Sequence, residues 1–96
     1  MPMDKIKIGN KLLDHGFSAA DKGFGYLIDA VDHYRIGMPI GNVYAYVAGI
    51  NGSKPTRIER CIRSTKEKNQ AFKHLDNREL VARLSWNIAE QETSHV

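Results

Sequence analysis

Residues 53–72 read SKPTRIERCIRSTKEKNQAF, and how that stretch folds decides how the rest of the chain is arranged. Ile58, Cys61, Ile62 and Thr65 recur at helical spacing, with Phe72 two turns further on, the pattern of a helix face pressed against a core. Arg57, Arg60, Ser64 and Glu67 share another face, with Arg63 between the two. From Lys54 to Lys68 six Lys/Arg stand against two Glu, a local charge of +4 in a chain whose total is +3, which leaves −1 for everything else. The positive excess is concentrated in one helix. That is the electrostatic footprint of a helix that meets phosphate.

Just upstream, residues 40–50 (IGNVYAYVAGI) read as a shorter helix, with Val43, Val47 and Ile50 on one side and Tyr44 and Tyr46 nearby. Asn51-Gly52 follows, a pair that favours a sharp turn because both residues tolerate positive φ. Ser53 or Thr56 is placed to cap the next helix, and Pro55 suits its first turn. Short helix, tight glycine turn, basic helix is the shape of a helix-turn-helix, here over about residues 40–72, whose second helix enters the major groove of DNA. Many all-helical domains share that outline, so the shape alone does not assign a function.

The other helices follow the same period. Ile6, Ile8, Leu12 and Leu13 predict a first helix over about residues 4–15, ended by Gly16 in the left-handed conformation. Ser18 and Asp21 have capping-box spacing before a second helix that runs to about Tyr34, with Phe24, Leu27, Ile28 and Val31 on its stripe. Gly37-Met38-Pro39 stops it. Asp76 and Asn77 open a last helix over about residues 77–90, with Leu80, Val81, Leu84 and Ile88 in one row and Thr93 to Val96 as a frayed tail. Trp86 lies off that row, either tucked against a neighbour or presented to a partner. No period-2 run of β-branched residues occurs, so the expected fold is all-α, a compact domain of five to six helices spanning residues 1–96.

Composition bounds the function. Ninety-six residues make one domain, and 42% hydrophobic with 26% charged residues is ordinary globular composition. The single cysteine, Cys61, rules out an internal disulfide and reads as a small buried hydrophobe in a reducing compartment. Neither a signal-peptide run nor a membrane-length apolar run is present, so a cytoplasmic protein with no membrane partner is expected. His15, His33, His74 and His95 are scattered, without HExxH or a Cys/His cluster, so no metal is expected. Asp29 and His33 read as an i,i+4 helix-surface pair rather than a catalytic dyad, and Gly23 and Gly25 sit in a helical pattern with no strand before them. The expectation is of no enzyme, no cofactor and no small-molecule substrate.

Four stretches carry a resemblance: LLDHGFSAADKGFGYLIDAV (12–31), YAYVAGI (44–50), TRIERCIR (56–63) and NRELVARL (77–84). In this order they resemble the DNA-binding effector domain of the sporulation-initiation response regulator, stage-zero sporulation protein A. The patterns KG-aromatic-x-YL-x-x-A-[IV] and [ST]-R-[IV]-E-R-x-I-R carry most of it. The resemblance implies an all-helical fold with an embedded helix-turn-helix, and sequence-specific binding to short DNA boxes as a transcription regulator. It implies base contacts for Arg57 and Glu59, and base or phosphate contacts for Arg60 and Arg63. The chain departs from the family in lacking a receiver domain, in a shorter connector over residues 37–42, in Ser64 where a basic or polar residue is common, and in Pro55 within the turn.

The residues make a case of their own. Arg donates two hydrogen bonds to guanine O6 and N7, and Glu accepts from cytosine N4. Glu59 has three uses open to it: base reading, a capping box reaching back to the Thr56 amide, or an ion pair with Arg63 four residues on. Lys54 is placed for a phosphate near the helix start. The candidate DNA-binding set is therefore Lys54, Thr56, Arg57, Glu59, Arg60, Arg63 and Ser64, with double-stranded DNA as partner. One helix reads only a few base pairs, so a homodimer on paired sites is expected, with the last helix and Trp86 as its surface. The competing reading is a protein-interaction module that captures a cellular regulator and leaves DNA alone.

Overall fold

The computed structural model describes residues 5–93. Five α-helices follow one another: α1 Lys5–Asp14, α2 Lys22–His33, α3 Ile40–Asn51, α4 Pro55–Glu67 and α5 Asn77–Thr93. No strand occurs among the described residues, so the fold is all-α as the helical periods require. Residues 94–96 of the expected tail, His95 among them, lie outside the described residues, as does residue 4 of the expected first helix.

The packing hub is α2 rather than the basic helix. It touches each of the other four, whereas α4 rests on α2, α3 and α5. The reason is in its composition: Leu27, Ala30 and Val31 are buried, and Phe24, Tyr26 and Ile28 are half-buried around the remaining circumference. A helix apolar on most sides is buried on most sides. The α2–α4 crossing is unusually close. A Cβ built on Gly23 would sit 2.9 Å from the Cys61 carbonyl carbon and 2.9 Å from Thr65 Cγ2, and closer still to the Cys61 oxygen. Only glycine lets the two backbones approach this far.

Helix ends depart from the sequence expectation where tertiary contacts decide them. The basic helix stops at Glu67 rather than continuing to Phe72. The side chain of Asn69 takes over the chain there, donating to His15 O at 3.0 Å and accepting from the Ala71 N–H at 3.0 Å. This turns Phe72 inward, where it stacks on Phe17 at 5.5 Å and meets His15 edge-on at 5.6 Å. Lys66, a charged residue that the helical period sets in line with Ile58 and Ile62, is buried, and its Nζ donates to Leu75 O at 2.6 Å. On α1, Ile8, Gly9 and Leu12 are buried while Ile6 and Leu13 are exposed. On α3, Val43, Val47 and Ala48 are buried, and Ile50 faces solvent instead of joining them.

Several caps also differ. Ser18 makes no capping box: its Oγ accepts from the Ala20 N–H at 3.2 Å, and Asp21 is the N-cap of α2. The Asp21 carboxylate is used elsewhere, accepting from Thr65 Oγ1 and from Lys68 Nζ, both at 3.0 Å. Asp29 does not pair with His33. It accepts from Lys5 Nζ of α1 at 2.9 Å and from Asn51 Nδ2 of α3 at 3.0 Å, so one carboxylate joins three helices. His33 stacks on Tyr46 instead, with centroids 3.7 Å apart. The expected cap of α5 is present, with the Glu79 N–H donating to Asp76 Oδ1 at 2.8 Å. Leu80, Val81, Leu84 and Ile88 are all buried beneath it.

Candidate nucleic-acid interface

The turn between α3 and α4 occupies three residues, 52–54. Gly52 has φ of 61°, the left-handed conformation, and its N–H donates to Ala48 O. Asn51 is not in that conformation; it is the last residue of α3, and its side chain donates to Val47 O at 2.8 Å. Proline then fixes where α4 begins. The residue before a proline is pushed to extended backbone. Lys54 obeys, with φ −112° and ψ 146°, and becomes the N-cap with no side-chain cap. Ser53 is one residue too early to cap and Thr56 is already inside the helix. The expectation that one of them caps α4 is corrected on that ground.

The buried side of α4 is Ile58, Ile62, Thr65 and Lys66. Its outward arc carries Thr56, Arg57, Arg60, Arg63, Ser64 and Glu67, all exposed, with Lys54 exposed just before it. Gly52, Ser53, Lys54, Thr56, Arg57, Arg60 and Cys61 line one open hollow at the start of the helix. Arg57 lies beside Tyr26 of α2, whose phenol raises the guanidinium above its ordinary value, so it stays cationic. Neither Arg57 nor Arg60 is in an ion pair among the described residues. Cys61 is half-buried at the α2 edge of the arc, a partly covered small residue rather than a fully buried one.

Glu59 and Arg63 stand apart from that pair. Their carboxylate and guanidinium meet at 2.9 Å, one turn apart. The capping-box use of Glu59 is excluded, because Thr56 is not the cap. The Glu59 backbone oxygen accepts from Asn77 Nδ2 of α5 at 3.1 Å, which ties this edge of α4 to the start of α5. Tyr44 of α3 closes the same corner. Burial pushes its phenol up, against an opposing hydrogen bond with Asn77.

The structure thus brings together Lys54, Thr56, Arg57, Arg60 and Ser64 as one exposed polar surface. Glu59 and Arg63 lie on its α5 side with their charges already matched. Trp86 is far around α5 from the buried row and 62% exposed, so it is presented rather than tucked. Two residues that shape the site are not singled out by the spacing: Gly23, which sets how close α4 lies to α2, and Tyr26, which flanks Arg57. Two glycines two residues apart at a helix start were the available signal for the first; nothing local signals the second.

No helix among the described residues is long and apolar enough to cross a membrane. No group of three or more His, Cys, Asp or Glu among them is placed to hold a metal ion. Compared with known proteins, the chain matches no protein-family model, no curated protein and no solved structure.

Proposed function

We propose that this chain binds double-stranded DNA sequence-specifically through α4 and acts as a transcription regulator, with two copies on paired sites. The observation that carries the reading is the outward arc of α4. Two guanidinium groups, Arg57 and Arg60, stand there free of ion pairs among the described residues, next to Lys54 and on the side away from the core. The α3–turn–α4 unit supports it further, because a three-residue turn with a left-handed glycine presents α4 beyond its neighbour as a helix-turn-helix does. In this reading Arg57 and Arg60 face base edges, Lys54 meets a phosphate beside the helix start, and Thr56 and Ser64 fill in along the groove. Glu59 reads a base only by giving up Arg63, so its first role is to hold that guanidinium in place. The resemblance to the sporulation effector domain points to the same helix.

Binding to a random duplex as a function of salt is the first test. A lysine and several arginines on phosphate predict that the logarithm of affinity falls linearly with log salt, with a slope near −0.9 per phosphate contacted. Selection from a random duplex pool then gives the recognised boxes. A chain that ignores duplex DNA at low salt, on the order of 50 mM, is instead an interaction module for another protein, and the proposal fails.

A further inference from the structure

The seam between α2 and α4 runs antiparallel, and its contacts follow one register. At one end the Asp21 carboxylate accepts from Thr65 Oγ1 and Lys68 Nζ, both at 3.0 Å. Gly23 comes next and lies against Cys61 and Thr65. Three residues further along α2 and four back along α4, the facing pair is Tyr26 and Arg57. There the Tyr26 phenol is the hydrogen-bond partner of the Arg57 guanidinium. The two sides of that contact are anchored unequally. Tyr26 is half-buried, with its ring packed against the core cluster, while Arg57 is exposed. A tyrosine has few torsions, and it joins an apolar body to a polar tip. Arg60, three residues on and also exposed, has no such partner among the described residues.

We infer that Tyr26, which lies on α2 and off the helix that meets DNA, is a positioning residue for Arg57: it props the guanidinium in one orientation and so sets the discrimination of the base pair that Arg57 reads. The inference rests on the function proposed above and names a residue outside the site assigned there. An unheld arginine samples many rotamers, and all but one must be given up when its planar fork meets guanine O6 and N7 together. A prop anchored in the core makes part of that selection before DNA arrives. The chemistry allows both contacts at once. A guanidinium has five N–H donors, so one given to the phenol leaves enough for the two guanine acceptors. The phenol is also neutral, so it holds the arginine without cancelling the charge that phosphates attract. Arg63 is the contrast on the same helix, because Glu59 holds it at 2.9 Å with its charge matched. The arginines of α4 thus stand in three states: Arg57 braced with its charge intact, Arg63 braced with its charge matched, and Arg60 unbraced. Gly23 makes the brace possible, since the close approach that only glycine permits brings the phenol within reach of α4.

The experiment uses the full chain and a duplex selected from a random pool. Tyr26→Phe keeps the ring and removes the hydroxyl, so its thermal melt is expected to stay close to that of the native chain. Affinity is measured for the selected duplex and for each of its single-base-pair variants. Tyr26→Phe is expected to lose discrimination about two- to tenfold, the effect of one hydrogen bond, at the base pair where Arg57→Ala loses it and at no other. In an Arg57→Ala background the same change is expected to add nothing, because the group it acts through is gone. A residue that only supports the fold would move every position alike, and in both backgrounds. A second measurement needs no DNA. In proton–nitrogen NMR spectra the Arg57 Nε–H is expected to be more ordered than that of Arg60 in the native chain, and to fall to the Arg60 level in Tyr26→Phe. Discrimination unchanged in Tyr26→Phe, a loss spread evenly over all positions, or an Arg57 Nε–H as mobile as that of Arg60 in the native chain would overturn the inference. A native chain that binds no duplex at low salt refutes the proposed function, and this use of Tyr26 with it. A chain that selects a duplex but whose Tyr26→Phe variant discriminates as the native chain does refutes the inference alone.

Discussion

Replacing Gly23 with alanine is expected to push α4 off α2. The added methyl would lie 2.9 Å from Thr65 Cγ2 and from the Cys61 carbonyl carbon, at least half an ångström short of the 3.4 Å of an ordinary contact. Its closest neighbour is backbone, so no rotamer change relieves it. Parting two helices by ~0.5–1 Å forfeits a quarter to a half of each dispersion contact between them, and Leu27, Ile58 and Ile62 are fully buried in and around that seam. Overpacking of this kind costs about 1–3 kcal/mol. The alanine recovers part of the ~1 kcal/mol of helix propensity, less than in a helix interior because Gly23 is only the second helical residue. A net loss of about 1.5 kcal/mol in a domain of this size lowers Tm by roughly 6–12 °C. Gly25, two residues on, is the internal control. A Cβ there meets nothing within 4 Å, so Gly25→Ala is expected to raise stability by about 0.5–1 kcal/mol. Thermal melts followed at 222 nm measure both. Were Gly23→Ala to melt with or above the native chain, the close backbone approach of α2 and α4 would be wrong, and the placement of α4 with it.

Arg57→Ala is expected to lower affinity for a selected target about 5- to 150-fold while leaving random duplex nearly unchanged, whereas Lys54→Ala weakens both alike and reduces the salt slope by about one; equal losses on both duplexes for Arg57→Ala would reject base reading. Asp76→Ala removes the α5 cap and is expected to cost about 1 kcal/mol, a Tm drop of roughly 4–8 °C, with no change in DNA affinity at temperatures where the chain is folded. Lys68 and Thr65 hold the Asp21 carboxyl below its ordinary value of 3.8. Its folded pKa is thus below its unfolded one, so the stability it contributes is complete above the unfolded value and is lost as pH falls through the folded one. Asp21→Asn should flatten the acid limb of a Tm-against-pH curve below about pH 4; an unchanged limb would mean the Asp21 contacts do not form in solution.

Where a residue's neighbours along the chain decide its surroundings, the sequence was enough. The row Leu80, Val81, Leu84, Ile88, the Asp76 cap, the end of α1 at Gly16 and the outward arc with Arg57 and Arg60 all follow from helical period and cap chemistry. Misreadings came where a partner distant in sequence outbid the local one. Asp29 has His33 four residues away, but Lys5 and Asn51 reach it from two other helices. Phe72 fits the α4 period, but Asn69 binds His15 O and redirects the chain so that Phe72 meets Phe17. Ser53 and Thr56 are both good caps in isolation, yet the steric demand of Pro55 on Lys54 decides the helix start. Trp86 was visible as the odd residue of its helix. Its companions Ile36, Arg35 and Asp32 come from another part of the chain, and no spacing rule connects them.

The ties that hold α4 to the frame leave from its inner side: Ile58, Ile62, Thr65 and Lys66 are packed or bonded there, and the Glu59 backbone is held by Asn77. Thr56, Arg60 and Ser64 contribute almost nothing to that attachment, and Arg57 adds only its contact with Tyr26 of α2. Substitutions at such positions usually change stability by no more than about 0.5 kcal/mol. On the function proposed above, a lineage carrying this scaffold can therefore rewrite the four letters on the face of the helix, and with them the text it would recognise, while the architecture underneath stays as it is.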